Sequence, residues 1–235
     1  MSDTRDAEIS HFTYTIRAYS PPDREKVREI CCDTGYLGEP IDEVFEDRKW
    51  FADLNISYYL KYEPESCFVA EVNQEIIGYI TGSKYPLKHA FTFYLKIAVP
   101  LFLKAFVKCV TCSYSKKSRT YLKKLVFRGS TERARRPKRT AHFHINVREG
   151  YRMKGVAKSL VRSLFLHFLN HHIHSVHAEL FYSDRIRPER FYRHYGFKIF
   201  DKRPTLILEN KKGPLYTMSL FIDLKDERAK SIWKL

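Results

Sequence analysis

Between Val147 and Ala157 the chain reads Val-Arg-Glu-Gly-Tyr-Arg152-Met-Lys-Gly155-Val-Ala, directly after a β-like segment and leading into one of helical period. A helix that opens on glycine and small residues presents unpaired main-chain N–H groups and the positive end of its dipole, which together attract an anion. Gly155 would let backbone and ligand approach closely, and a small residue at Ala157 would leave that approach unobstructed. A second group is His142, His144 and Asn146, which alternate along one segment and so share one face if it is a strand. An unperturbed histidine titrates near neutrality, which makes His144 the first candidate for a general base or substrate contact. A hydrogen-bonded structural histidine satisfies the same pattern, and Glu179 and Asp184 stand in reserve as bases.

The elements that must position these residues follow from periodicity and turn chemistry. Tyr14–Tyr19 reads as a strand, and Ser20-Pro-Pro-Asp23 as a helix start with prolines in the first turn and an acidic residue three after the serine. That helix runs to Cys32. A second helical period spans Ile41–Tyr62 and stops at Pro64. Cys67–Val72 and Ile76–Ile80 flank a polar break and predict a hairpin. Then come strand 142–147, helix 155–169, strand 176–182, short helix 188–194, and closing strands 205–209 and 215–222. This order predicts a mixed α/β sheet flanked by helices.

Composition locates a further feature. Of 42 Lys and Arg, 16 fall within residues 84–140, against one acid there, Glu132, so the formal charge of +15 belongs to that segment alone. Phe91–Cys112 and Tyr114–Phe127 have basic amphipathic patterns, and Arg133–Arg139 is a basic run expected to be a mobile loop. Such a segment suits an anionic membrane surface or another polyanion; a covered helix pair with solvated lysines is the alternative, and a homodimer is also compatible. The longest apolar run, Ile97–Leu103, is broken by Pro100 and too short to span a bilayer. Five cysteines and no secretory pattern at the N-terminus lead us to expect a reduced, cytoplasmic protein, in that reading at most peripheral at the membrane. Neither Cys109-x-x-Cys112 nor the histidines at 167, 171, 172, 174 and 177 are completed by partners in a ligand pattern, so no metal is expected.

The loop from Arg152 to Ala157 resembles the acetyl-CoA loop of the GNAT superfamily of N-acetyltransferases, Arg/Gln-x-x-Gly-x-Gly/Ala. A second GNAT-like signature, Phe191-Tyr192-Arg-His-Tyr-Gly196-Phe197, places Gly196 44 residues after Arg152, with one helix and one strand between. Glu71–Tyr79 matches the family's earlier hairpin. The stretch from Asp33-Thr-Gly-Tyr to Tyr-Glu-Pro-Glu-Ser66 is similar to the acetyltransferase-like domains associated with O-GlcNAc hydrolases. The resemblance covers residues 14–83 and 141–222. It implies a single GNAT domain over 1–235, interrupted by a basic helical insert at 84–140 between the third and fourth strands.

It also implies a reaction: acetyl transfer from acetyl-CoA, as cosubstrate, to the primary amine of a small molecule or peptide by direct attack in a ternary complex; the alternative is a catalytically weak GNAT scaffold that acts as an anionic-membrane or nucleic-acid binding module through residues 84–140. The cofactor contacts would be Ile145, Val147, Arg152, Met153, Lys154, Gly155, Val156, Ala157, Arg185 and Tyr192. A main-chain N–H of the fourth strand, at Val147 or a neighbour, would polarise the thioester carbonyl. Tyr192 matches the tyrosine that often protonates the leaving sulfur, an aromatic packed beneath the cofactor being the alternative role, with His144 and Glu179 as the other catalytic candidates. The family's usual Asn and Ala, which help place the CoA arm, are replaced here by Arg185 and Pro188, a departure from the family pattern.

Overall fold

Seven strands, β1 (Thr15–Ala18), β2 (Cys67–Val72), β3 (Glu75–Ser83), β4 (Ala141–Val147), β5 (Ser175–Tyr182), β6 (Lys198–Pro204) and β7 (Tyr216–Asp223), form one sheet in the order β1-β2-β3-β4-β5-β7-β6. The computed structural model describes residues 12–208 and 213–235. Every neighbouring pair is antiparallel except β4 and β5, which run parallel. Parallel neighbours need a crossover, and here it is the sixth helix of the chain, α6 (Val156–Asn170).

Helices α1 (Arg24–Asp33) and α2 (Arg48–Tyr62) cover one face of the sheet. The expected start of α1 is present as a capping box: the Ser20 N–H and hydroxyl both donate to the Asp23 carboxylate, at 2.8 and 3.0 Å. The single helix expected over 41–62 is instead a short 3-10 turn, Ile41–Glu43, followed by α2. Its physical cause is Asp47, whose carboxylate accepts the Trp50 N–H at 2.9 Å and so starts a new helix in mid-period.

The insert is helical, as expected. It contains α3 (Pro86–Phe93), a π-helical turn (Tyr94–Ala98), α4 (Val99–Val110) and α5 (Lys116–Arg128). From it Ala105, Tyr114, Tyr121 and Leu122 join the α1–α2 core against Phe45 and Trp50. The opposite face of the sheet packs on α6 through Leu160, Leu164, Phe165 and Phe168, all fully buried, and each such side chain contributes about 1.5–3 kcal/mol. Gly82 allows this close approach: a Cβ there would sit 2.7 Å from the Phe168 ring.

The chain ends with α7 (Glu189–His194) and α8 (Glu227–Trp233), the latter capped by the Asp226 side chain and closing over the α6 core through Trp233. The strand expected at 205–209 is misplaced. Residues 205–208 are irregular, Glu209 lies outside the described residues, and the strand is the preceding segment, β6. β6 is an edge strand, so Lys198-Ile-Phe-Asp-Lys-Arg-Pro can be mostly polar.

Candidate active site

β4 and β5 stay paired only from Ala141↔Val176 to Phe143↔Ala178, although β4 continues to Val147 and β5 to Tyr182. The parallel strands therefore part, and the opening lies at their carboxyl ends, where open α/β sheets place ligands. On the other side β4 stays paired with β3 as far as Gly78↔Val147. The Arg148 N–H donates to the Ile77 carbonyl at 2.9 Å, which sets the alternation along β4. Even-numbered residues bond to β3, so the N–H groups of Ile145 and Val147 are turned toward the opening, beyond the last rung to β5.

The loop after β4 ends at the start of α6. Arg152 stabilises it from within: its Nε donates to the Val147 carbonyl at 3.1 Å and its guanidinium NH2 to the Gly38 carbonyl at 2.6 Å. The Arg152 side chain is thus used to shape the loop, and its own N–H is bonded to the Glu149 carbonyl. Met153 has φ 63° and Gly155 φ 83°, so the chain turns twice through left-handed backbone before the helix. Gly155 stands at the N-cap, with no side chain capping the helix. Among the described residues, the N–H groups of Met153, Lys154, Gly155, Val156, Ala157 and Lys158 have no acceptor, which leaves the helix end available to an anion. Val156 is buried beneath this rim, while Ala157 and Lys154 are exposed and Met153 is 89% exposed. Lys154 Nζ lies over the Phe12 ring, 4.8 Å from its centroid, and the Tyr14 hydroxyl meets Ser159 Oγ at 2.8 Å beside the same turn.

Across the opening, Tyr192 sits half-buried on α7, beyond the end of β5, with its ring 6.2 Å from that of Tyr182. Burial raises its pKa, and Arg187 only partly offsets this, so the phenol keeps its proton. Arg185 is exposed and lies against Gly213, where the 213–216 segment enters β7. Asp184 is committed to accepting the Tyr182 hydroxyl.

His142, His144 and Asn146 share the α1–α2 face of β4, as the alternation requires. The His142 Nδ1 meets the Tyr59 hydroxyl at 2.7 Å. The His144 Nδ1 lies 3.3 Å from the Tyr79 hydroxyl, which also accepts from Asn146 Nδ2 at 3.0 Å. Burial lowers the pKa of His144 to about 4, leaving a neutral imidazole of low basicity. Tyr79, the hub of this group, has no signature in the sequence beyond its place in a β-rich run; only the register Tyr79↔Asn146 brings it there.

Glu179 is the most constrained of the candidates. Arg133 donates to both its oxygens, at 3.1 and 2.8 Å, and Arg136 approaches at 2.8 Å. Burial alone would raise its pKa, but these two guanidinium groups outweigh that and hold the carboxylate ionised. The run Arg133–Arg139 is thereby tied down, with Ala134 buried and the Arg135 N–H on Asp201, rather than being a free loop. His142, His177 and Glu179 place ligand atoms within 4.8 Å of one another, but the two guanidiniums on that carboxylate oppose a cation. His167 and His171 are neighbours, with ring centroids 4.4 Å apart, but each is bonded elsewhere: His167 to Ser66 at 3.1 Å and His171 Nδ1 to the His167 carbonyl at 2.8 Å. Cys109 and Cys112, at the end of α4, join no group of metal-ligating side chains among the described residues.

No family model and no curated protein matches the sequence. Solved structures do match. SsHAT aligns over 92% of this chain and 100% of its own, with TM-score 0.61 at 18% identity. The structure of yncA from Salmonella typhimurium with its cofactor acetyl-CoA covers 92% of this chain and 96% of its own, with TM-score 0.53 at 16% identity. An N-acetyltransferase from Staphylococcus aureus Mu50 covers 91% and 99%, with TM-score 0.51 at 15% identity. Parted parallel strands, a helix that starts uncapped at Gly155, and these alignments agree: the chain has the GNAT fold, that of the N-acetyltransferases.

Proposed function

We propose that the protein transfers the acetyl group of acetyl-CoA to a primary amine. The observation that carries this reading is the array of unpartnered N–H groups from Met153 to Lys158 at the mouth of the β4–β5 opening. A diphosphate seated there would receive several charge-assisted hydrogen bonds and the favourable end of the α6 dipole. From that anchor the CoA arm would run between the parted strands. The thioester carbonyl would then face the Ile145 and Val147 N–H groups, which suit a developing oxyanion because they are fixed and have lost their strand partner.

The acceptor would approach from the face that carries His144 and Asn146, and its neutral amine would attack the carbonyl carbon directly. The C–N bond forms as the C–S bond breaks, and Tyr192, held protonated by its surroundings, would give the sulfur its proton. We assign neither His144 nor Glu179 as a strong base: one is a neutral imidazole tied to Tyr79, the other a carboxylate saturated by arginine. The ammonium proton would pass to water, with His144 as an acceptor that orients the nucleophile. Arg152 contributes by holding the loop, and Arg185, exposed on the β5–α7 turn, would meet the CoA arm. The chain is read as one domain in a reduced cytoplasmic setting.

Free-thiol release measured over an amine panel tests this. Tyr192→Phe should lower kcat by about 100-fold with little change in CoA affinity, the range for a single general acid. Equal turnover by both proteins would remove Tyr192 from that role, and absence of CoA binding by the wild-type protein would remove the proposal.

A further inference from the structure

We propose that the outer face of α3 and α4 docks on an anionic lipid bilayer, lying in one leaflet without crossing it. Within Leu87–Val110, nine large apolar side chains are at least half exposed: those at 87, 91, 94, 95, 99, 103, 106, 107 and 110. Leu87 is 85% exposed and Phe106 66%. A row at i, i+4 drifts by about 40° per step on an α-helix, which would carry residues 99–107 around the side. The wider π turn at Tyr94–Ala98 winds that drift back, so the row of α3 continues on α4 as one stripe. Soluble chains rarely leave so continuous an apolar strip uncovered.

Pro86–Val110 forms 25 helical residues, within which an 18-residue window that tolerates its lysines has mean hydropathy 1.6, long and apolar enough by composition to cross a bilayer. Topology forbids the crossing. The helix leaves the sheet after Ser83, the chain returns at His142, and those two residues are paired neighbours in the β3–β4 ladder. A single span would separate strands that are hydrogen-bonded from Ser83↔His142 to Gly78↔Val147. The inner side is also fixed to the fold, since the Trp50 Nε1–H donates to the Leu101 carbonyl at 2.8 Å and Lys108 pairs with Asp47 at 2.6 Å. The long apolar helix is therefore held flat against the domain with one side outward.

Charge selects the occupant. Lys88, Lys96 and Lys104 flank the stripe, exposed and without an acidic partner among the described residues. Lysines beside an interfacial apolar face reach the phosphate layer while the apolar side chains enter the acyl boundary. A second copy of this chain would bring the same lysines against each other, which disfavours a dimer through this face. Nucleic-acid bases can stack on Phe91 and Phe106 but give no role to the six exposed aliphatic side chains among the nine.

The test is flotation of the purified full chain with vesicles of phosphatidylcholine alone and of phosphatidylcholine with phosphatidylserine. We expect binding to the second kind only, reduced by salt. Phe91→Ser with Phe106→Ser should abolish it. Replacing Lys88, Lys96 and Lys104 by Glu should weaken partition on the order of 100-fold. Circular dichroism and thermal midpoints should show both variants folded, because every replaced side chain is exposed. Absence of flotation, flotation unaffected by either variant, a dimer that the Phe variants dissociate, or RNA binding in place of vesicle binding would each overturn the proposal.

Discussion

Gly155 offers the sharpest perturbation, because the same loop supplies its control. At φ 83° the residue lies in left-handed backbone, where an alanine costs about 1–2 kcal/mol. Its added Cβ would also come within 3.3 Å of the Tyr14 hydroxyl, which is hydrogen-bonded to Ser159. Gly150, five residues earlier, does not have positive φ, and a Cβ there meets nothing within 4 Å. For Gly155→Ala we therefore expect one of two responses. If the turn stays left-handed, the strain lowers the thermal midpoint by about 2–8 °C for a chain of this size. If the turn relaxes, the N–H groups of Met153–Ala157 no longer converge, and each lost bond to a charged acceptor costs about 1.5–3 kcal/mol. CoA affinity should then fall about 10- to 100-fold. Calorimetry with CoA and a thermal melt, run on wild type, Gly155→Ala and Gly150→Ala, separate these responses. Wild-type affinity and wild-type midpoint in Gly155→Ala would refute the anion-site reasoning. So would equal losses in the two variants.

Two further expectations concern ionisation. Glu179 has a depressed pKa in the folded chain, so its stabilising contribution is present above the unfolded value of about 4.3 and is lost as pH falls through the folded one. Glu179→Gln should cost about 1–2 kcal/mol in urea unfolding at pH 7, since Arg133 and Arg136 are partly exposed, and the difference from wild type should narrow at pH 3; a constant difference would count against the pairing. Burial depresses His89, His144 and His177 to about 4, so protons bind preferentially to the unfolded chain below about pH 6.5. Stability should be level above that pH and decline toward pH 4, less steeply in His177→Asn, and equal urea midpoints at pH 7.5 and 5 would contradict it.

What could be read from the sequence was whatever is local along the chain. The anion loop needs only a strand, a glycine and a helix in succession, and the polar face of β4 follows from alternation. Asp47 was hidden because a helix start within an apolar period looks like continuation of that period. β6 was hidden because an edge strand can be built of charged residues, whereas Thr205-Leu-Ile-Leu208 is apolar for packing: Ile207 and Leu208 are buried without joining the sheet. The run Arg133–Arg139 looked solvated because its acidic partners, Glu179 and Asp201, are more than 40 residues away in sequence. The amphipathic period of the insert was visible, but which side would meet the core and which would stay bare depends on Trp50 and Asp47 of another helix.

The brevity of the β4–β5 ladder has a mechanical meaning. Three rungs join a four-stranded half of the molecule to a three-stranded half, and the seam that remains is held by α6 on one side and by the Glu179–arginine clasp on the other. So short a ladder joins the two halves as a short spine joins the covers of a book. A molecule sliding between the pages would act as the missing rungs, so occupancy would stiffen the whole domain as well as fill a site.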